Sequence, residues 1–140
     1  MNAAVELEKA FLPLLKEAER SVAAEYPKFK FSVGAASVGE QTEFQGHRVW
    51  LECLLPDAAD DEADSVAILV AAKHITTEPK LCEAGVAWGN GQHSQYSVEL
   101  LEQPVQFTEL SLQQTVARFP ELLAAYRKSL QSWAARDSDA

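Results

Sequence analysis

The sequence predicts an α+β fold, a five-stranded antiparallel meander sheet flanked by an N-terminal and a C-terminal helix in two layers. Three observations carry that expectation. Apolar residues recur at helical spacing near both ends of the chain, they alternate with polar residues in between, and an Asn-Gly turn separates two of the alternating runs. The 140 residues fall within the roughly 100–200 expected of one domain. No repeat or linker divides them, so the domain is read as residues 1–140.

Leu7, Phe11, Leu14 or Leu15, Ala18 and Val22 define the first helical stripe. Pro13 lies inside it, removes an amide donor and crowds the carbonyl of Lys9, so the helix is kinked or restarts there. It ends near Tyr26, because the residue before Pro27 is pushed toward extended geometry. Phe29, Phe31, Val33 and Ala35 then alternate with Lys30, Ser32 and Gly34 as a first strand, and the polar segment from Gly39 to Gly46 reads as a hairpin loop. In the second strand Val49, Leu51, Cys53 and Leu55 share one face and Arg48, Trp50, Glu52 and Leu54 the other, with Pro56 as the stop. Val66 to Ala72 is apolar on both parities, which suits a central strand covered on both sides.

For the fourth and fifth strands a three-residue loop, Gly89-Asn90-Gly91, gives the cleaner segregation of faces. It pairs Trp88 with Gln92, Ala84 with Tyr96 and Cys82 with Val98. Cys82, Ala84, Val86, Tyr96, Val98 and Leu100 then share the apolar face, and Glu83, Gly85, Ala87, His93, Gln95, Ser97 and Glu99 the opposite one. After Pro104, the run Ser111 to Gln114 fits a capping box opening a second helix. Leu112, Val116, Phe119, Leu123, Tyr126, Leu130 and Trp133 form its stripe, Pro120 kinks it or divides it in two, and residues 134–140 read as a frayed polar tail.

The net charge of −9 is unevenly spread. Asp57, Asp60, Asp61, Glu62 and Asp64 form one acidic run, Asp137 and Asp139 lie at the C-terminus, and without these seven the remainder carries −2. A nearly balanced body offers no basic surface for phosphates, which excludes nucleic acid and an anionic membrane as expected partners. The N-terminal segment lacks a basic n-region, the longest apolar run is far short of the ~20 residues that span a bilayer, and two cysteines make no disulfide framework. A cytoplasmic location is the expectation.

Motifs of known chemistry are absent. His47, His74 and His93 have no zinc-ligand spacing and read as surface or hairpin residues. The acidic run lacks the glycine and spacing of a calcium loop, and Gly89-Asn90-Gly91 is followed by a strand where a phosphate loop needs a helix. Cys53 and Cys82, with the third strand between theirs, are expected to be buried free thiols. No metal and no cofactor are therefore expected, and no catalytic residue can be named. The remaining feature is a sheet face. If both helices cover the apolar side, the other side presents Lys30, Arg48, Trp50, Glu52, Glu83, His93, Gln95 and Glu99, with Ser97, Leu54 and Leu101, around an apolar centre. Such a face suits a non-catalytic interaction domain that binds a protein partner or a second copy as a homodimer. The alternative is a small-molecule-binding domain or enzyme using Glu52, Glu83 and Glu99 as acid–base groups and His93 as proton carrier.

Overall fold

The computed structural model describes residues 2–38, 45–54, 65–89 and 94–138. Their order is α1 (Ala3–Glu25), β1 (Lys30–Val38), β2 (Gly46–Leu54), β3 (Ser65–Lys73), β4 (Lys80–Gly89), β5 (Ser94–Glu99), β6 (Val105–Gln106), α2 (Glu109–Ala117) and α3 (Phe119–Ser138). All pairings are antiparallel. β1 to β5 lie side by side in chain order, and β6 continues the β5 edge by pairing with Lys80 and Leu81 of β4.

The two long helices share one side of the sheet. α1 buries Leu7, Phe11, Leu15, Ala18 and Val22 against β1, β2 and β3. α3 lays Leu122, Tyr126 and Leu130 against β3, β4 and β5. Both meet one continuous core of Val49, Leu51 and Cys53 from β2, Val66, Ile68, Val70 and Ala72 from β3, and Leu81, Ala84 and Val86 from β4. Each fully buried side chain of Leu or Phe size stabilises this layer by about 1.5–3 kcal/mol. The helix-facing parity of β3 is therefore Val66, Ile68, Val70 and Ala72, and its other parity, Ala67, Leu69 and Ala71, belongs to the uncovered side.

Polar ties fix the helices in place. Tyr126 donates its hydroxyl to the Val66 carbonyl at 3.4 Å, and Arg127 reaches Ser21 at 2.5 Å and Glu25 at 3.5 Å. His47, read from sequence as a surface histidine, is only 6% exposed on the helix side of β2. Its Nε2 donates to the Glu8 carboxylate at 2.7 Å, and its Nδ1 shares a hydrogen bond with the Ser37 hydroxyl at 3.1 Å. The imidazole thus joins α1, β2 and β1.

Several expectations are corrected. The sheet has a sixth strand, too short at two residues to show a period. Pro13 neither stops nor restarts α1, which is one helix from Ala3 to Glu25. Thr108 is the N-cap of α2, and Ser111 is its capping-box partner three residues on. The division into two helices that Pro120 suggested does occur, with the break at Arg118 and Pro120 in the first turn of α3, where its missing N–H costs nothing. Leu122 is buried in α3 and the predicted Leu123 only half-buried. α3 also continues through Ser138, where a frayed tail was expected from residue 134.

The largest correction concerns two bulges. Between Ala71 and Ala72 the β3–β4 register shifts, so Leu81 takes the core position and Cys82 is the extra residue. Between Val86 and Ala87 the β4–β5 register shifts, with Ser97 unpaired. Gly89 pairs with Ser94, Trp88 with Gln95, Ala87 with Tyr96 and Val86 with Val98. The three-residue loop and its pairings are therefore wrong. Tyr96 lies on the uncovered side, and Gln95 sits opposite Trp88, whose ring packs 5.4 Å from Trp133 of α3 on the helix side. Gln95 is removed from the predicted open-face set. The turn signal Asn90-Gly91, His93 and the acidic run 57–64 lie outside the described residues.

Candidate functional site: the uncovered sheet face

The cross-strand register arranges the uncovered side as rows. Ser32, Glu52, Ala67, Ala87 and Tyr96 form one row, and Gly34, Trp50, Leu69, Gly85 and Glu99 the next. Ala36, Arg48, Ala71 and Glu83 form a third, and Lys30, Leu54 and Ser65 lie toward the opposite end. Of the residues predicted for this face, Lys30, Arg48, Trp50, Glu52, Glu83 and Glu99 are placed on it by these pairings.

Its relief follows from side-chain size. β2 presents Arg48, Trp50 and Glu52 to this side, each half-buried. The Trp50 indole lies across Gly34 of β1, where any β-carbon would overlap the ring, so only glycine lets it lie flat. β3 and β4 contribute mostly small residues. Ala67, Ala71 and Ala87 are only 6–7% exposed, although no described helix lies above them. Tyr96 leans over Gly85, its Cδ1 3.0 Å from where a β-carbon would stand. Leu54 at 54% and Tyr96 at 42% are among the most exposed large apolar side chains described.

One polar cluster is embedded in the face. The Glu83 carboxylate is nearly buried, accepts the Tyr96 hydroxyl, and lies 3.1 Å from Arg48 Nε across Ala71. That last contact is an ion pair without the alignment of a hydrogen bond, and both atoms are buried. The Tyr96 phenol is held above its usual range, first by burial and then by its hydrogen bond to Glu83 and that group's charge. Sequence reasoning missed Tyr96, because the bulge that turns it to this side has no local signature. Glu52 stands two strands and two rows from Glu83, about 16 Å away, and does not converge with it.

The thiols are elsewhere. Cys53 is buried in the core, where burial and the charge of Glu52 push its pKa up to about 12. Cys82, expected on the apolar face, is half-buried at the bulge, and burial raises its pKa as well. Both are free. No group of three or more potential metal ligands occurs among the described residues, and no described helix is long and apolar enough to cross a membrane. A cleft of about 480 Å³ is lined by residues that include Leu100, Leu101, Val105, Thr115 and Arg118, none of them among the rows of this face. Arg118 there is engaged by Glu121 at 2.6 Å and by the Leu100 carbonyl. Comparison with protein families, with characterised proteins and with solved structures finds no match to this chain.

Proposed function

We propose that this protein is a non-catalytic interaction domain whose uncovered sheet face binds a protein partner. The observation that carries the reading is the location of both long helices on the other side, with Leu54 and Tyr96 exposed among the described residues of this face and Trp50 and Leu69 half-buried beside them. Tryptophan and tyrosine are enriched at interface cores, and a rim of Lys30, Glu52 and Glu99 around an apolar centre is the anatomy of a binding patch. The low relief, with the Trp50 ring lying flat on Gly34 and Tyr96 leaning over Gly85, favours a broad macromolecular contact over an enclosed small ligand. A cytoplasmic protein partner fits the expected setting.

A photoreactive phenylalanine at Leu54 tests this in living cells. Irradiation should give a discrete covalent adduct with one identifiable protein, whereas the same group at Glu17 on the exposed side of α1 should not. Equal labelling from both positions, or none from Leu54, would remove the reading.

A further inference from the structure

The sheet has two unlike edges. At one, β6 is two residues long and β5 carries a bulge at Ser97, both of which hinder the addition of a further strand. At the other, β1 runs nine residues without a bulge or a proline, and its one charge is Lys30 at the first position. β1 pairs with β2 alone, so alternate N–H and C=O groups along its outer side have no partner among the described residues. None of the side chains from 30 to 37 is buried, although Phe31 and Val33 lie against the core.

We infer that β1 pairs edge to edge with β1 of a second copy, antiparallel, about a two-fold axis through the sheet near Gly34. The strand's own composition names its copy as the occupant. On the helix side Phe31, Val33, Ala35 and Ser37 fall in size along the strand. The two-fold sets Phe31 beside the partner's Ser37 and Val33 beside the partner's Ala35, so large meets small. On the other side Ser32, Gly34 and Ala36 are all small, and they meet one another in reverse order. Lys30 comes to the level of the partner's Val38, so no like charges stand opposite each other.

The pairing satisfies what the edge leaves open. Nine residues in antiparallel register exchange about 8–10 backbone hydrogen bonds, as many as the ~10 of an ordinary interface. α1 lies mainly over β1 and β2, so the two-fold sets the two α1 axes about 10–12 Å apart, the width of a helix with its side chains. Ser21, held by Arg127 of α3, marks the flank of α1 that faces α3, and the half-buried Leu12 lies half a turn round from it. Leu12 therefore faces the copy's α1, above a seam that covers Phe31, Val33 and Ala35 from the side.

The test uses the full chain, and its result leaves the reading of the uncovered face to the adduct at Leu54. At tens of micromolar the solution mass should be twice the 15.4 kDa of one copy. Ala35 is exposed in one copy and lies beside the axis, so Ala35→Glu should return the chain to one copy with the far-UV spectrum unchanged. Should that variant fail to fold, cross-linking decides. With Cys82→Ala as background, Ala35→Cys should be joined into dimers by a short bifunctional maleimide, because the two-fold sets its copies about 7–8 Å apart. Gln106→Cys, exposed on β6 at the other edge, should not. A monomeric parent chain, or a dimer that survives a folded Ala35→Glu, would overturn the inference. So would joining through Gln106→Cys as efficient as through Ala35→Cys.

Discussion

Trp50 owes its posture to Gly34, and Cys53 owes its inertness to the core around it. The Cys53 thiol has its pKa pushed from an ordinary 9.0 up to about 12, because the thiolate would have to form in an apolar layer beside Glu52. Since the folded value is raised above the unfolded one, the stabilisation is fully present below pH 9 and is lost as pH rises toward 12. Burial raises the Tyr126 phenol also, which adds an effect of the same sign at still higher pH. Denaturant melts should therefore give stability that does not fall on this account up to pH 9 and declines above it. Native maleimide labelling of Cys53 should be slow at pH 8. Rapid labelling there, or a stability that climbs between pH 9 and 11, would show that the thiol is not enclosed. Parity in sequence sufficed to place Cys53, because β2 alternates without interruption from His47 to Leu54. The same rule misplaced Cys82, and it gave no hint that His47 would be buried, since a histidine on the apolar parity shows its partners Glu8 and Ser37 only after folding.

At the scale of elements, two prolines in helical stretches have opposite meanings. Pro13 sits in the interior of α1, exposed, where it removes a hydrogen bond to Lys9 and contributes nothing to the core. Pro120 sits in the first turn of α3, where no partner for an N–H exists. Proline costs about 3 kcal/mol relative to alanine in a helix interior, so Pro13→Ala should stabilise the fold by about 1–3 kcal/mol. Pro120→Ala should leave stability within about 1 kcal/mol, or lower it through a looser unfolded chain. A Pro13→Ala variant no more stable than the parent in urea would mean that a kink there is needed for packing. Element type and order were legible because stripes and alternations repeat over many residues. Register was not. A bulge is one inserted residue with no required composition, and the two here, at Cys82 of β4 and Ser97 of β5, turned Cys82, Gln95 and Tyr96 away from their expected faces while leaving every strand in place.

At the scale of the whole molecule, the charge is unevenly distributed along the chain. Five of the nine net negative charges lie in sequence between Leu54 and Ser65, and two more are Asp137 and Asp139. Replacing Asp57, Asp60, Asp61, Glu62 and Asp64 by their amides would take the net charge from −9 to −4, and a net charge far from zero keeps a protein soluble and monodisperse. The amide variant should therefore be less soluble than the parent at neutral pH, with its far-UV spectrum and urea midpoint unchanged. A solubility equal to the parent's would show that the charge outside this run suffices, and a lowered urea midpoint would show that the acids hold partners in the fold.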